Sequence, residues 1–252
     1  PDHLMIVIPM AGRSSRFYQA GYKVPKYELP VPGGTLFGMC VRSFEPYFAS
    51  ERFLFVCRPG VGAEQFVQAE CERLAIRDFE CVTLEQETRG QAETVLLGME
   101  RSGTAGAEPL LIFNIDTVRP GYRFPAECRG SDGYLEVFRG EGDHWSFVRP
   151  VAPGSIRVAE TSEKKRISDL CCTGLYQFAR AADFDRLCRA AIEDIDNFCA
   201  LWRELYVAPL YNEFIAQGAD VAYHEVPRNA VLFSGTPSEY DELLELLARS
   251  DV

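Results

Sequence analysis

The sequence predicts an α/β protein built on a doubly wound, mixed but mostly parallel sheet with helices on both faces. Three observations predict it. Short apolar runs alternate with amphipathic segments through the first half of the 252-residue chain, the rhythm of β-α-β units. Runs such as Ile6-Val7-Ile8 are continuous rather than alternating, as in strands buried on both faces. The second half then breaks the rhythm with short strands joined by glycine-rich turns, which makes the sheet mixed.

The elements follow in order. Ile6, Val7 and Ile8 form the first strand, and Ala11, Gly12, Ser14 and Ser15 a loop whose backbone can approach a ligand closely. Thr35 opens a helix over residues 36–48, followed by a strand at 53–57, a helix at 64–74, a strand at 79–84 and a helix at 91–101. Residues 110–113 make a fourth buried strand. Further strands are expected over 133–138, 145–151, 157–159 and 173–178. A long helical region covers 183–217, then come strands at 221–226 and 230–233 and a last helix at 239–249. No repeat or low-complexity linker divides the chain, so it reads as a single domain over 1–252.

Composition bounds the class. At 47% hydrophobic residues the chain can bury a full core, and no run approaches the length of a membrane span. No export signal is read at the start of the sequence. Nine cysteines are scattered without a C-x-x-C pair, which predicts reduced core thiols of a cytoplasmic protein rather than a zinc knuckle or disulfide framework. A formal net charge of -11 argues against nucleic acid or an anionic membrane as partner.

Against that acidic background, the stretch 5–27 carries Arg13, Arg16, Lys23 and Lys26 and no acidic residue. Cations around exposed backbone N–H groups make an anion site, and a polyphosphate is the natural candidate. In open α/β sheets ligands bind beyond the carboxyl ends of strands, where the strand order reverses. If that order is 3-2-1-4, the basic loop lies beside Asn114-Ile115-Asp116, where Asp116 can hold a Mg2+ ion that bridges phosphates.

Five segments, in order, carry a resemblance to the sugar-phosphate nucleotidyltransferase family. They are Pro9-Met10-Ala11-Gly12-Arg13-Ser14-Ser15-Arg16-Phe17 with Pro25-Lys26; Gln86 with Gly90-Gln91-Ala92-Glu93-Thr94; Asn114-Ile115-Asp116; Glu163-Lys164 with Thr173-Gly174-Leu175-Tyr176-Gln177-Phe178; and Gly235-Thr236-Pro237. The resemblance implies a glycosyltransferase-A-like nucleotidyltransferase fold, a nucleotide-binding half over about 1–118 and an acceptor-binding half over about 119–252. It also implies nucleotide contacts from Met10 to Ser15, base recognition around Gln86, Gly90 and Gln91, a metal on Asp116, and acceptor contacts from Glu163, Lys164 and Gly174. The opening is most similar to that of enzymes of bacterial capsule or surface-polysaccharide synthesis, a subgroup whose habits imply a pyrimidine nucleotide, CTP first. Two positions depart from the family pattern. Ser14 stands where a second glycine is usual, and Phe233 where many members carry a second metal aspartate.

The residue types suit the chemistry independently. A phosphomonoester oxygen attacking an α-phosphorus is already anionic near neutral pH, so the protein need supply only alignment and positive charge. Arg16 can grip two phosphate oxygens and Lys26 can follow charge onto departing pyrophosphate, with Asp116 as the third catalytic residue. Lys164, rather than Lys165, is read as holding the acceptor's phosphate, because strand neighbours face opposite ways. Tyr134, Glu136, Trp145 and Arg149 are candidates for the acceptor pocket and equally for sheet surface.

Other features give less. His3, His144 and His224 lack metal-ligand spacing, and the serines lack a G-x-S-x-G frame. Tyr206, Leu210, Phe214 and Ile215 sit at helical spacing and read as core. Leu243, Leu244, Leu246 and Leu247 cover either the sheet or a second copy in a homo-oligomer. The chain is thus expected to use a nucleoside triphosphate and a phosphorylated small molecule, releasing pyrophosphate for surface-polysaccharide synthesis. Two alternatives stay open: a non-catalytic nucleotide-binding sensor of the same fold, and a metal-dependent glycosyltransferase, although Asn114-Ile115-Asp116 has one carboxylate of a D-x-D motif.

Overall fold

A computed structural model describes residues 3–104 and 106–250, apart from the side chain of residue 250. The chain opens with β1 (Met5–Met10), whose Ile6, Val7 and Ile8 are fully buried, and a one-turn helix α1 (Ser15–Gln19). A small hairpin of β2 (Pro30–Val31) and β3 (Gly34–Thr35) leads to α2 (Leu36–Val41), where the Thr35 hydroxyl accepts the Gly38 N–H at 3.1 Å. The helix expected to run to residue 48 stops at Val41 and continues as a 3₁₀ stretch, Arg42–Tyr47. Phe44 leaves helical geometry there and Pro46 removes a donor.

Then come β4 (Arg52–Cys57), α3 (Ala63–Arg73), β5 (Asp78–Thr83), α4 (Gln91–Arg101) and β6 (Leu110–Phe113), close to their predicted positions. The two-residue β7 (Thr117–Val118) precedes β8 (Gly133–Arg139), β9 (Ser146–Pro150), β10 (Val158–Glu163) and β11 (Leu170–Phe178). The long helical region resolves into α5 (Ala181–Glu193), α6 (Ile195–Trp202) and α7 (Leu210–Ala216). Arg203 at φ 72 and Pro209 break it, so that Tyr206 lies in a loop. Last are β12 (Val221–Glu225), β13 (Leu232–Phe233) and α8 (Pro237–Ser250).

Among the described residues, nine strands form one mixed sheet in the order β10-β9-β11-β6-β1-β4-β5, with β8 between β11 and β12. The parallel run β5-β4-β1-β6 has the expected 3-2-1-4 order, and β11 joins it antiparallel to β6. Separate apolar clusters fill the two faces. One packs Val7, Leu54 and Ile112 against Val95 of α4 and Phe184 of α5, and the other packs Ile6, Ile8 and Phe113 against Phe37 and Val67 of α2 and α3. Leu243, Leu244 and Leu247 do not cover the sheet. They close a third cluster with Phe17, Leu29 and Leu36, which ties α8 to the segment after β1. All nine cysteines are free, and none of the described helices is long and apolar enough to cross a membrane.

Candidate active site

The site begins where β1 ends. Met10 is buried, and Ala11, Gly12, Arg13 and Ser14 line one wall of a cleft of about 640 Å3. Ser14 sits at φ 54, ψ 29, the left-handed region in which a Cβ is disfavoured. The glycine-like conformation therefore persists without the glycine. The serine hydroxyl compensates by accepting the Lys26 backbone N–H at 3.1 Å, tying the loop to the segment that carries the lysine.

The facing wall is the end of β6. Asn114, Ile115 and Asp116 line the cleft, and Lys26 Nζ donates to Asp116 Oδ2 at 2.8 Å, with both side chains partly exposed. The basic loop and a strand-end carboxylate thus meet at the point where the strand order reverses, as the 3-2-1-4 order requires.

Arg13 is ion-paired with Glu87, whose carboxylate also lies 3.9 Å from Arg58. Arg89, which the sequence did not mark, adds a third cation to the wall. Its guanidinium bonds to Glu93 and holds that carboxyl below the usual range. Ser15 and Arg16 lie on α1, exposed, and neither they nor the exposed Gln86 line the cleft.

Gly90 and Gln91 do line it, and each also has a structural partner. A Cβ on Gly90, at φ +151, would stand 2.6 Å from Leu205 N and 2.7 Å from Leu205 O, so the glycine is required by the backbone of the loop before α7. Gln91 donates to the Asn114 side chain. Asn114 in turn occupies the space above Gly174, where a Cβ at φ +99 would lie 2.4 Å from Asn114 Nδ2. Gly174 marks a bulge between Cys172 and Tyr176 of β11, so its place in the site is to seat Asn114.

A second recess of about 180 Å3 adjoins the first across Asn114 and Asp116. Glu163 lines it, hydrogen-bonded to Ser146, with its pKa pushed up by burial. Trp145, His144 and Phe233 form another side, the rings of Trp145 and Phe233 lying 4.8 Å apart. Lys164 is not on the strand. It turns away at φ 52, is exposed, and donates to the Tyr206 hydroxyl at 2.6 Å. The face-alternation argument for Lys164 over Lys165 therefore does not apply, and Tyr206 is a wall of the cleft rather than core.

Of the other acceptor candidates only Trp145 reaches the recess. Tyr134 is buried against Tyr122, Glu136 is buried against Arg119 at 3.0 Å, and Arg149 pairs with Glu160 on the surface. Beyond Asp116, Gly235 opens the recess. Its φ is ordinary, yet a Cβ there would lie 2.9 Å from Asp116 Oδ2 and 3.3 Å from Glu239 Oε2.

Fold and cleft together define an α/β protein with a basic loop, a strand-end carboxylate and an adjoining polar recess at the switch point of the sheet. No protein-family model and no curated protein matches the chain. Among solved structures, the chain is 47% identical to a nucleoside-diphosphate-sugar pyrophosphorylase from Vibrio cholerae RC9, over 96% of this chain and 100% of that one, with a TM-score of 0.89. The fold is also that of the inositol-1-phosphate CTP transferase of T. maritima, at 15% identity over 98% and 96% of the chains and a TM-score of 0.74. A UDP-glucose pyrophosphorylase complexed with UDP-glucose shares it at 14% identity over 98% and 99%, with a TM-score of 0.71. The chain belongs to the sugar-phosphate nucleotidyltransferase family.

Proposed function

We propose that the protein transfers a nucleoside monophosphate from a nucleoside triphosphate to a phosphorylated sugar or similar phosphomonoester, with Mg2+, and releases pyrophosphate. The observation that carries this reading is the meeting of the loop after β1 with Asp116 at the end of β6, joined through Lys26. The triphosphate lies along Ala11, Gly12, Arg13 and Ser14, with Thr88, Gly90 and Gln91 toward the base. The acceptor enters the adjoining recess at Glu163 and Gly174, and Lys164, exposed beside Tyr206, swings to its phosphate. An acceptor oxygen attacks the α-phosphorus, the bond to the β-phosphate breaks, and the electron pair leaves with pyrophosphate.

The donor set suits a hard cation. Asp116 offers carboxylate oxygen beside the bare backbone of Gly235, and among the described residues no group of three or more His, Cys, Asp or Glu is arranged to hold a metal. Mg2+ held through one or two carboxylates and substrate phosphates fits such a site and neutralises phosphate charge when bound. Lys26 attends the leaving group. Arg16, exposed on α1, reaches the phosphates only if the loop closes on them, whereas Arg89 already stands in the wall. The sequence resemblance supports a single domain over 1–252, with a nucleotide-binding and an acceptor-binding half divided near residue 118.

CTP is the nucleotide to test first and surface-polysaccharide synthesis the role, both from the resemblance of the opening segment. A thermal-shift panel of common nucleoside triphosphates with Mg2+ selects the base, since ligand at about 100 times its Kd adds roughly 2.7 kcal/mol. Pyrophosphate release with a panel of sugar phosphates then tests the reaction. Asp116→Asn should abolish release and leave the melting temperature near the parent's. Turnover within a few-fold of the parent would refute the assignment.

A further inference from the structure

We propose that Glu239 supplies the second carboxylate of the metal centre, the one that Phe233 cannot provide. The inference rests on the reading of Asp116 as a metal ligand. Phe233 is paired with Thr117 in the β13–β7 ladder, and its ring stacks toward Trp145 and Phe138 at 4.8 and 5.6 Å. The same ladder lays the following residues across the strand end that carries Asp116. Ser234 N donates to the Asp116 carbonyl at 2.9 Å, and Gly235 comes next.

A Cβ on Gly235 would meet Asp116 Oδ2 at 2.9 Å and Glu239 Oε2 at 3.3 Å, so carboxylate oxygens from two distant segments converge on one bare backbone position. Its backbone does not call for glycine, because its φ lies outside the left-handed region. What calls for glycine is the space between the two acids. Both side chains line the same recess of about 180 Å3.

Glu239 has a structural duty too. Its Oε2 accepts the Thr236 N–H at 3.0 Å while Thr236 Oγ1 accepts the Glu239 N–H at 3.2 Å, a reciprocal capping box at the start of α8. That duty is met equally by glutamine. The cap therefore explains where the side chain lies and leaves unexplained why a second negative charge is turned toward Asp116, which is unfavourable unless a cation is shared. In the structure Lys26 supplies positive charge to Asp116 Oδ2 at 2.8 Å, and a divalent ion held by Asp116 and Glu239 would compete with it for that oxygen.

The capping box gives a clean test. Mn2+ alone is titrated into the full chain and followed by electron paramagnetic resonance, for the parent, Asp116→Asn, Glu239→Gln and Gly235→Ala. Glu239→Gln keeps the cap, so its melting temperature should match the parent's while Mn2+ affinity falls roughly tenfold or more, because affinity follows the number of charged ligands. Gly235→Ala should weaken Mn2+ binding in the same direction, by putting a methyl between the carboxylates. Parent-like Mn2+ affinity in Glu239→Gln, with Asp116→Asn impaired, would overturn the role of Glu239 alone. Parent-like affinity in Asp116→Asn as well would overturn the metal reading beneath it.

Discussion

Lys26→Ala should separate catalysis, metal binding and stability in one variant. In the folded protein the ammonium donates to Asp116 Oδ2 at 2.8 Å, with side-chain exposures of 21% for Lys26 and 30% for Asp116. A pair this accessible to water contributes about 0–1 kcal/mol to folding. For a chain of this size that is a melting shift of a few degrees at most, at roughly 2–4 °C per kcal/mol. Catalysis should suffer far more. Negative charge grows on the departing pyrophosphate in the transition state, and a contact that strengthens there is lost from kcat. One charge-assisted contact of about 1.5–3 kcal/mol corresponds to roughly ten- to a hundredfold. Metal binding to the nucleotide-free protein should move the other way, because the truncation releases Asp116 from its internal counter-ion. Scanning calorimetry, initial rates of pyrophosphate release and Mn2+ titration without nucleotide are the three measurements. A kcat within threefold of the parent, or weaker Mn2+ binding in the variant, would refute the assignment of Lys26 as the cation shared between leaving group and Asp116.

Lys164→Ala should instead raise KM for the phosphorylated acceptor by roughly ten- to a hundredfold and leave nucleotide affinity nearly unchanged, as seen by calorimetry with nucleotide alone. Equal loss of nucleotide affinity in Lys164→Ala and Lys26→Ala would merge the two subsites. Gly90→Ala should lower the melting temperature by roughly 5–10 °C, because its Cβ would press on Leu205 backbone atoms that cannot rotate away; an unshifted melt would show that the loop yields. Burial raises the pKa of Glu163 in the folded protein, so its carboxyl favours folding most below its unfolded pKa, and that contribution is lost as pH rises through the folded value. Glu163→Gln should accordingly gain stability relative to the parent as pH is raised across that window, and a pH-independent difference in melting temperature would exclude this origin.

The sheet was legible where burial alone wrote it. Ile6, Val7 and Ile8, and Leu110 to Phe113, are apolar at every position because both faces are covered, and that signature fixed the parallel run and its switch point. It failed at β10. The strand extends through Glu160, Thr161, Ser162 and Glu163, a polar sequence with no apolar alternation, and only its start was expected. Thr161 is fully buried because α7 satisfies it: the Asn212 side chain bonds both its N–H and its carbonyl, at 2.8 and 2.9 Å, and Thr161 Oγ1 donates to Ala208 O at 2.6 Å. A strand held by tertiary hydrogen bonds leaves no period in the sequence. The error carries straight to the site, since Glu163 gains its position in the recess from the extra length of β10 and Lys164 loses its own from the turn that ends it.

The same distinction sorts the site residues. Ala11, Gly12, Arg13 and Asp116 were readable because each lies just after the end of a buried strand, where topology alone sends them to the switch point, and Lys26 because it belongs to the one stretch of clustered cations in an acidic chain. Arg89, Tyr206 and Glu239 were not, because each reaches the cleft or its recess through a partner remote in sequence or a local duty that hides it. Tyr206 mimics a helical residue of the α7 stripe, and only Arg203 at positive φ and Pro209 reveal the loop that carries it to Lys164. Arg89 and Glu93 look like an ordinary helix-start ion pair at i,i+4. Gly90, two residues before Ala92, then matters because Ala92 N donates to Leu205 O at 2.8 Å and draws that loop over the glycine. The wall of the cleft is therefore set by a contact between the start of α4 and the segment before α7. A change at Leu205 that moved its backbone would displace Tyr206 and reach the site without touching any residue that the sequence marks as functional.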